Sequence, residues 1–396
     1  MRVIGIISEY NPFHSGHRYQ IEESKRVLGS DSMIVCVMSG NWVQRGDAAL
    51  CDKWTRAAMA LRGGADLILE LPTPWAASSA ETFATGGVSI LDATGFVDTL
   101  SFGSECGVLA PLEEAAALLS SPDYSVVLRE YLNKGLSFPV ARQSAARNLL
   151  GETAQCLETP NNNLGVEYLR ALARVGSSIQ PHTLLRRGSA HDSDTMGQGF
   201  ASASKLRKEL LSGERRSLLP YLSASDLDAL SQVGLSSLSF AERAVFARLR
   251  SMCAEDFLSL PDCGEGLHHR LARAALEHHT LDELYTAVKS RRYTHARIRR
   301  LVLWAFLSIT AKDRPASPPY LRVLGMNRRG QSILKEMKRN ARLPILTKPA
   351  HAKHLSQEAK ALFEVEARCT ALYDLCRSDF GQRKGKLEYT ENPVIL

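Results

Sequence analysis

At 396 residues, 44% hydrophobic and 23% charged, the chain has the composition of an ordinary globular protein and the length of two domains. No uninterrupted apolar run approaches the roughly 18 residues that cross a bilayer, so no membrane-spanning helix is expected. The eight cysteines include no CxxC pair and have no histidines at zinc spacing; this argues against a zinc module or a disulfide scaffold and points to free thiols in a reducing, cytoplasmic compartment.

The opening "MRVIGII" lacks the pattern of a signal peptide and reads as a first strand. "MIVCVM" (33–38), "DLILEL" (66–71) and "VDTLSFGS" (97–104) are further strand candidates, rich in Val, Ile and Leu. Between them "HRYQIEESKRVLG", "DKWTRAAMALRGG" and "SSAETFATGGVSILDATG" carry helical spacing and end near glycine. Strands alternating with helices predict an α/β, Rossmann-like domain with a parallel sheet, placed over residues 1–212. Ligands bind such sheets beyond the carboxyl ends of the strands.

From about Leu210 the strand signals fade, and a mostly α-helical domain is expected over 213–396. "SFAERAVFARLRSMC", "GLHHRLARAALEHH" and "YTHARIRRLVLWAFLSIT" read as helices, and "DRPASPP" (313–319) as a hinge. "YLRVLGMNRRGQSILKEMKR" reads as a short apolar piece, a turn at Gly325 to Asn327, and a basic helix. Cys369 and Cys376, one heptad apart, read as packing. Between Tyr285 and Ala350 stand 16 Lys and Arg against two acids, Asp313 and Glu336, an excess of +14 in a chain of net charge +7. The rest of the chain therefore carries −7. A basic segment on an acidic body favours a nucleic-acid partner over a merely solvated face.

"EYNPFHSGHRYQI" (9–21) follows the first strand where it must turn into a helix. A helix N-terminus presents unpaired N–H groups and the positive end of the dipole, which attract phosphate. Gly16 has no Cβ to keep a phosphate from the backbone. In a first turn, His14 and His17 point to one side, where imidazoles can donate to oxygens that gain charge as a phosphorus–oxygen bond breaks. Pro12 stiffens the approach and Asn11 adds a polar side chain. The pattern suits cleavage of a nucleoside triphosphate at its α-phosphate, with His14, Gly16 and His17 as the catalytic candidates. The competing reading, one histidine capping the helix and the other merely exposed, is weakened by the strand–turn–helix context.

This HxGH resembles the nucleotidyltransferase superfamily of class I aminoacyl-tRNA synthetases and pantetheine-phosphate adenylyltransferases. Its second motif, S/T-x-x-hydrophobic-R, is matched by "SASKLRKEL" (202–210), where Ser202, Ser204 and Arg207 open a helix and Lys205 adds charge for departing pyrophosphate. Over most of its length the chain is similar to the bacterial tRNA(Met) cytidine acetate ligase family. "GIISEYNPFHSGHRYQI", "MSGNWVQRGDAALCDKW", "ADLILELP", "FGSE", "PNNNLGVEYLRAL", "YTHARIRR" and "YLRVLGMNRRGQSILKEMK" occur in the family's order.

The resemblance implies ATP-dependent acetylation of N4 of the wobble cytidine, position 34, of elongator tRNA(Met). Acetate would be activated as acetyl-adenylate, with Mg²⁺ accompanying ATP. It implies an ATP loop running through Ile7, Ser8, Glu9, Tyr10, Asn11, Pro12 and Phe13 to His14, Ser15, Gly16, His17, Arg18, Tyr19 and Gln20. It adds Gly103 at the fourth strand's end and the paired asparagines Asn161 and Asn162, which either contact the nucleotide or cap a helix. "RRGSAHD" (186–192) departs from the family's pattern, leaving open whether Arg186 or Arg187 contacts ATP and weakening a role for His191.

Gln44, Arg45 and Lys53 fall near the site by topology, Lys53 equally well in a surface ion pair. Trp42 is a candidate wall of an acetate pocket. Arg297, Arg299, Arg300, Arg328, Arg329, Lys335 and Lys338 are expected to contact tRNA phosphates, with Tyr293 stacking on a base. Two other readings stay open at this level: a small-molecule adenylyltransferase on the same core, and a non-catalytic tRNA-binding protein.

Overall fold

The computed structural model describes residues 2–186, 200–264, 266–379 and 384–396. Its strands are β1 (Val3–Ser8), β2 (Met33–Ser39), β3 (Trp42–Val43), β4 (Asp47–Ala48), β5 (Leu67–Leu71), β6 (Thr99–Ser104), β7 (Gln180–Leu185), β8 (Leu321–Met326), β9 (Ile345–Leu346) and β10 (Val394–Ile395). One sheet runs in the order β10-β8-β5-β2-β1-β6-β7, with β9 paired to β8; β3 and β4 form a separate hairpin.

The five first-half strands of the sheet are parallel, joined through helices such as Ser15–Leu28, Lys53–Arg62 and Ala80–Ala93. Their side chains divide between two cores with period two. β1 sends Val3 and Ile7 to one face and Ile4 and Ile6 to the other. β2 does the same with Met33, Val35 and Val37 against Ile34, Cys36 and Met38. Burial on both faces is why these strands read as unbroken apolar runs. All parallel strands point their carboxyl ends at one rim, and β1 delivers the HxGH turn there.

A third core lies mostly among helices, built from residues such as Val245, Leu284, Trp304 and Tyr373, with Trp42 and Ala48 of the hairpin set into it. This agrees with helices after residue 212, but the chain does not stay there. β8 returns to the first-half sheet, antiparallel to β5 with Ile68 opposite Gly325, and carries β9 and β10 with it. A boundary at residue 212 therefore leaves three strands of this one sheet, β8, β9 and β10, on its far side. The expected turn at Gly325 to Asn327 is displaced too. Gly325 lies inside β8, and Asn327 caps the helix Arg328–Asn340, its side-chain oxygen accepting Gly330 N–H at 2.8 Å. A six-residue apolar run between helical patterns has no periodicity of its own to announce a strand.

A buried ionic cluster fastens this returning segment. Lys53 is not on the surface: its Nζ donates to Glu70 Oε1 at 2.7 Å and to Glu388 Oε2 at 2.5 Å, all three residues buried. Arg322 of β8 stands 3.6 Å from Glu388. Glu366 accepts Thr73 N–H at 2.7 Å and the Thr73 hydroxyl at 2.9 Å. All eight cysteines are free, and Cys369 and Cys376 pack in the helical core. No helix among the described residues is long and apolar enough to cross a membrane.

Candidate active site

The helix Ser15–Leu28 is started by the two histidines themselves. His14 is its N-cap, and its Nδ1 accepts Gly16 N–H at 3.0 Å. In return His17 Nδ1 accepts His14 N–H at 3.3 Å. An imidazole that accepts through Nδ1 carries its proton on Nε2, so each ring keeps one N–H donor. Burial lowers the His14 pKa to about 3, with the charges of Arg186 and Arg207 acting the same way. His17 is lowered by burial, then by His14 and Arg186. Both rings are thus neutral donors at pH 7.

Gly16 makes room for this arrangement. A Cβ there would lie 2.9 Å from His14 Cε1, closer than side chains tolerate. Tyr10, at a left-handed φ of 47°, turns its ring inward, edge-on to Phe13 and His17 at centroid distances of 5.1 and 4.8 Å. Asn11 holds the loop down: its Oδ1 accepts Leu50 N–H at 2.7 Å.

The helix Ala203–Leu211 brings a second N-terminus to the same cleft. Ser202 caps it, accepting Lys205 N–H at 3.2 Å. Arg207 bridges the two motifs, donating to the Asn11 carbonyl at 2.8 Å and to Ser204 Oγ at 3.1 Å. Lys205 pairs with Glu209 at 2.7 Å instead of facing the cleft lining. Arg186 follows β7 and passes over Gly103, where a Cβ would stand 3.0 Å from its Cγ. Its guanidinium donates no hydrogen bond among the described residues; burial lowers its pKa, and Glu105 opposes that.

Ile7, Ser8, Glu9, Tyr10, Asn11, His14, Gly16, His17, Tyr19 and Gln20 line one cleft together with Gly103, Asn161, Arg186, Ser202, Ser204 and Arg207. Pro12, Phe13, Ser15 and Arg18 do not line it; Phe13 is buried against Gly63. Asn162 does not line it either. Its Oδ1 accepts the N–H groups of Glu105 and Cys106 at 2.8 and 3.2 Å. Glu105 answers by accepting Asn161 N–H at 3.1 Å and Asn162 N–H at 2.7 Å at the start of the helix Pro160–Val175. Burial would raise the Glu105 pKa, but the Asn161 side-chain amide, donating to Oε1 at 2.6 Å, and then those backbone donors outweigh it and the carboxylate is held low. Arg187 and His191 lie outside the described residues.

Trp42 does not wall the cleft. It is fully buried in the helical core, edge-on to Phe306 and Tyr373, its indole N–H on the Cys369 carbonyl at 3.1 Å. Gln44 and Arg45, next in the hairpin, do line the cleft. Sequence reasoning did not single out the apolar lining, Phe83, Phe102, Leu164, Tyr168 and Leu184. An amphipathic helix shows which face is apolar but not which of its residues reaches a ligand.

The basic residues separate into two groups. Gly46 (φ 71°) packs on the helix His295–Leu307, where a Cβ would stand 2.6 Å from Arg299 C and Arg300 N. Arg299 and Arg300 therefore lie against the hairpin whose Gln44 and Arg45 reach the cleft, and with Arg297 they are half-buried. Arg297 donates to the Asp262 carbonyl at 2.9 Å and lies over Tyr293, and Arg299 lies over Tyr285. Tyr293 is itself buried, so its ring face serves Arg297 and the core in place of a nucleobase. Arg328, Arg329, Lys335 and Lys338 are exposed on the other basic helix. Arg329 donates to the carbonyls of Asp31 and Ser32, just ahead of β2. That is the amino rim of the parallel strands, opposite the HxGH turn.

The HIGH Nucleotidyl Transferase family model matches residues 1–388. A relative from Acetivibrio thermocellus named tRNA(Met) cytidine acetate ligase is 36% identical, with 100% of both chains covered. Another of that name from Caldanaerobacter subterraneus subsp. tengcongensis is 39% identical over 97% of this chain and 98% of its own. The apo crystal structure of Thermotoga maritima TmcAL superposes with a TM-score of 0.95 at 30% identity over 100% of both chains. The same protein bound with alpha-thio ATP gives 0.93. Full-length likeness in sequence and fold makes the chain a member of the tRNA(Met) cytidine acetate ligase family, a ligase built on the HIGH nucleotidyl transferase fold.

Proposed function

We propose that the chain condenses acetate with ATP to acetyl-adenylate and pyrophosphate, then transfers the acetyl group to N4 of the wobble cytidine, position 34, of elongator tRNA(Met), releasing AMP. The observation that carries this reading is the convergence, in one cleft, of two neutral imidazole donors, two helix N-termini and an Arg186 guanidinium with no hydrogen-bond partner among the described residues. Such a set answers the charge that builds on phosphate oxygens as acetate attacks the α-phosphorus and the bond to the β-phosphate breaks. The mixed anhydride is needed because cytidine N4, conjugated with its ring, is too weak a nucleophile for free acetate.

Ile7, His14, Gly16, His17, Gly103, Asn161, Arg186, Ser202, Ser204 and Arg207 are the ATP-facing residues in this reading. Mg²⁺ accompanying ATP would supply charge neutralisation at the phosphates. Arg297, Arg299 and Arg300 meet tRNA phosphates beside the cleft; Arg328, Arg329, Lys335 and Lys338 form a second basic strip. A tRNA substrate implies a cytoplasmic location.

Incubation with ATP, labelled acetate and bulk tRNA tests the reading. Acetate-dependent pyrophosphate release with label on cytidine is expected. AMP joined to a small metabolite, or tRNA binding without ATP turnover, would replace it with an adenylyltransferase or a binding protein.

A further inference from the structure

The cleft is built for anions, yet among the described residues its lining includes one carboxylate, Glu9. Three arginines, Arg45, Arg186 and Arg207, and both histidines line it too. Glu9 is fixed at both ends. Its Oε1 accepts the backbone N–H of Gln44 at 2.7 Å, and its carbonyl accepts Arg56 Nη1 at 2.7 Å. Oε2 accepts no hydrogen bond among the described residues. A negative charge here repels acetate and the phosphates. It is useful to a neutral ligand that must give up a proton.

The acceptor in the second half-reaction is such a ligand. Cytidine N4 enters as an amine with two protons and leaves as an amide with one. Gln44 adds a second sign of a polar ligand at this wall: its Nε2 is buried, without a partner among the described residues, and the residue lines the cleft. The loop that carries Gln44 rests through Gly46 on the backbone of Arg299 and Arg300. Through Gln44, Glu9 is thus tied to the loop that rests on that helix, where a polyanion held by the helix would arrive.

We infer that Glu9 is the general base of acetyl transfer, an assignment that rests on the function proposed above. The N4 lone pair forms a bond to the acetyl carbonyl carbon, and the bond from that carbon to the adenylate oxygen breaks, releasing AMP. The proton lost from N4 passes to the Glu9 carboxylate and then to water.

Two half-reactions of the full-length protein separate the possibilities: acetate-dependent exchange of pyrophosphate into ATP, and single-turnover transfer from preformed acetyl-adenylate to elongator tRNA(Met). Glu9→Gln keeps the Gln44 contact and removes the base. It is expected to lower transfer by about 10²–10³-fold more than it lowers exchange. Glu9→Asp, which restores a carboxylate, is expected to transfer faster than Glu9→Gln. Glu9→Ala in the same two assays carries the test if the glutamine variant does not fold. Equal losses in both half-reactions, or undiminished transfer, overturn the inference alone. Wild-type protein without acetate-dependent exchange overturns the proposed function and this inference with it.

Discussion

The imidazoles of His14 and His17 lie 3.9 Å apart, centroid to centroid, and each accepts a backbone N–H at the helix start through Nδ1. Capping and chemistry are therefore not alternatives for these residues. The cap uses the nitrogen that faces the backbone and fixes the tautomer. Nε2–H is left as the polar atom of each ring for a ligand in the cleft.

His17→Asn is expected to lower acetate-dependent pyrophosphate exchange by about 10²–10³-fold, the usual loss for one oxyanion donor, while tRNA binding persists. Filter binding beside the exchange assay checks this. Loss of both together would mean that the residue only holds the fold.

The same burial makes stability pH-dependent. Folded-state pKa values of both histidines fall below the ordinary 6.5, His14 to about 3. The unfolded chain then takes up their protons first as pH falls. Stability is expected to decline below about pH 6.5 by about 1.4 kcal/mol per pH unit for each histidine, His14 ceasing to contribute near pH 3. Denaturant titrations from pH 7 to pH 5 on the wild type and a His14→Gln plus His17→Gln variant measure the slope. Identical slopes rule out these rings as its source.

The ionic cluster at Lys53 offers a contrast between two neighbours. Lys53→Met leaves Glu70 and Glu388 buried without their shared ammonium and is expected to destabilise by about 3–5 kcal/mol. Burial, then the charge of Glu70, pushes Glu366 up to about 8, so it is already protonated at pH 7. Glu366→Gln is expected to cost less than about 1.5 kcal/mol there. Urea denaturation at pH 7 compares them, and a Glu366 variant as damaged as the Lys53 variant would contradict this charge assignment.

The two basic groups stand at opposite rims of a sheet whose strand β1 has six residues, about 20 Å of chain. For an anticodon stem-loop fragment, Arg299→Ala plus Arg300→Ala is expected to weaken binding and to flatten its dependence on log salt by about 0.7–0.9 for each phosphate no longer neutralised. Arg328→Ala plus Arg329→Ala should leave fragment binding within about twofold, having no reach to that rim. The opposite ranking would move the substrate to the amino rim.

The chain by itself determined the strand–turn–helix at His14 and His17 and the parallel core around it. Those features are local: apolar runs of strand length, helical spacing and a glycine that a turn requires. It also determined where basic charge concentrates, because composition is additive along a segment. Tertiary structure alone decided that β8 completes the sheet, that Lys53 and Trp42 are interior, and that the basic segment splits between two rims. Each of those depends on partners tens to hundreds of residues away, such as Glu388 for Lys53 and Cys369 for Trp42. Periodicity shows that a face is apolar or charged, whereas the neighbour that meets it is chosen only when the elements pack.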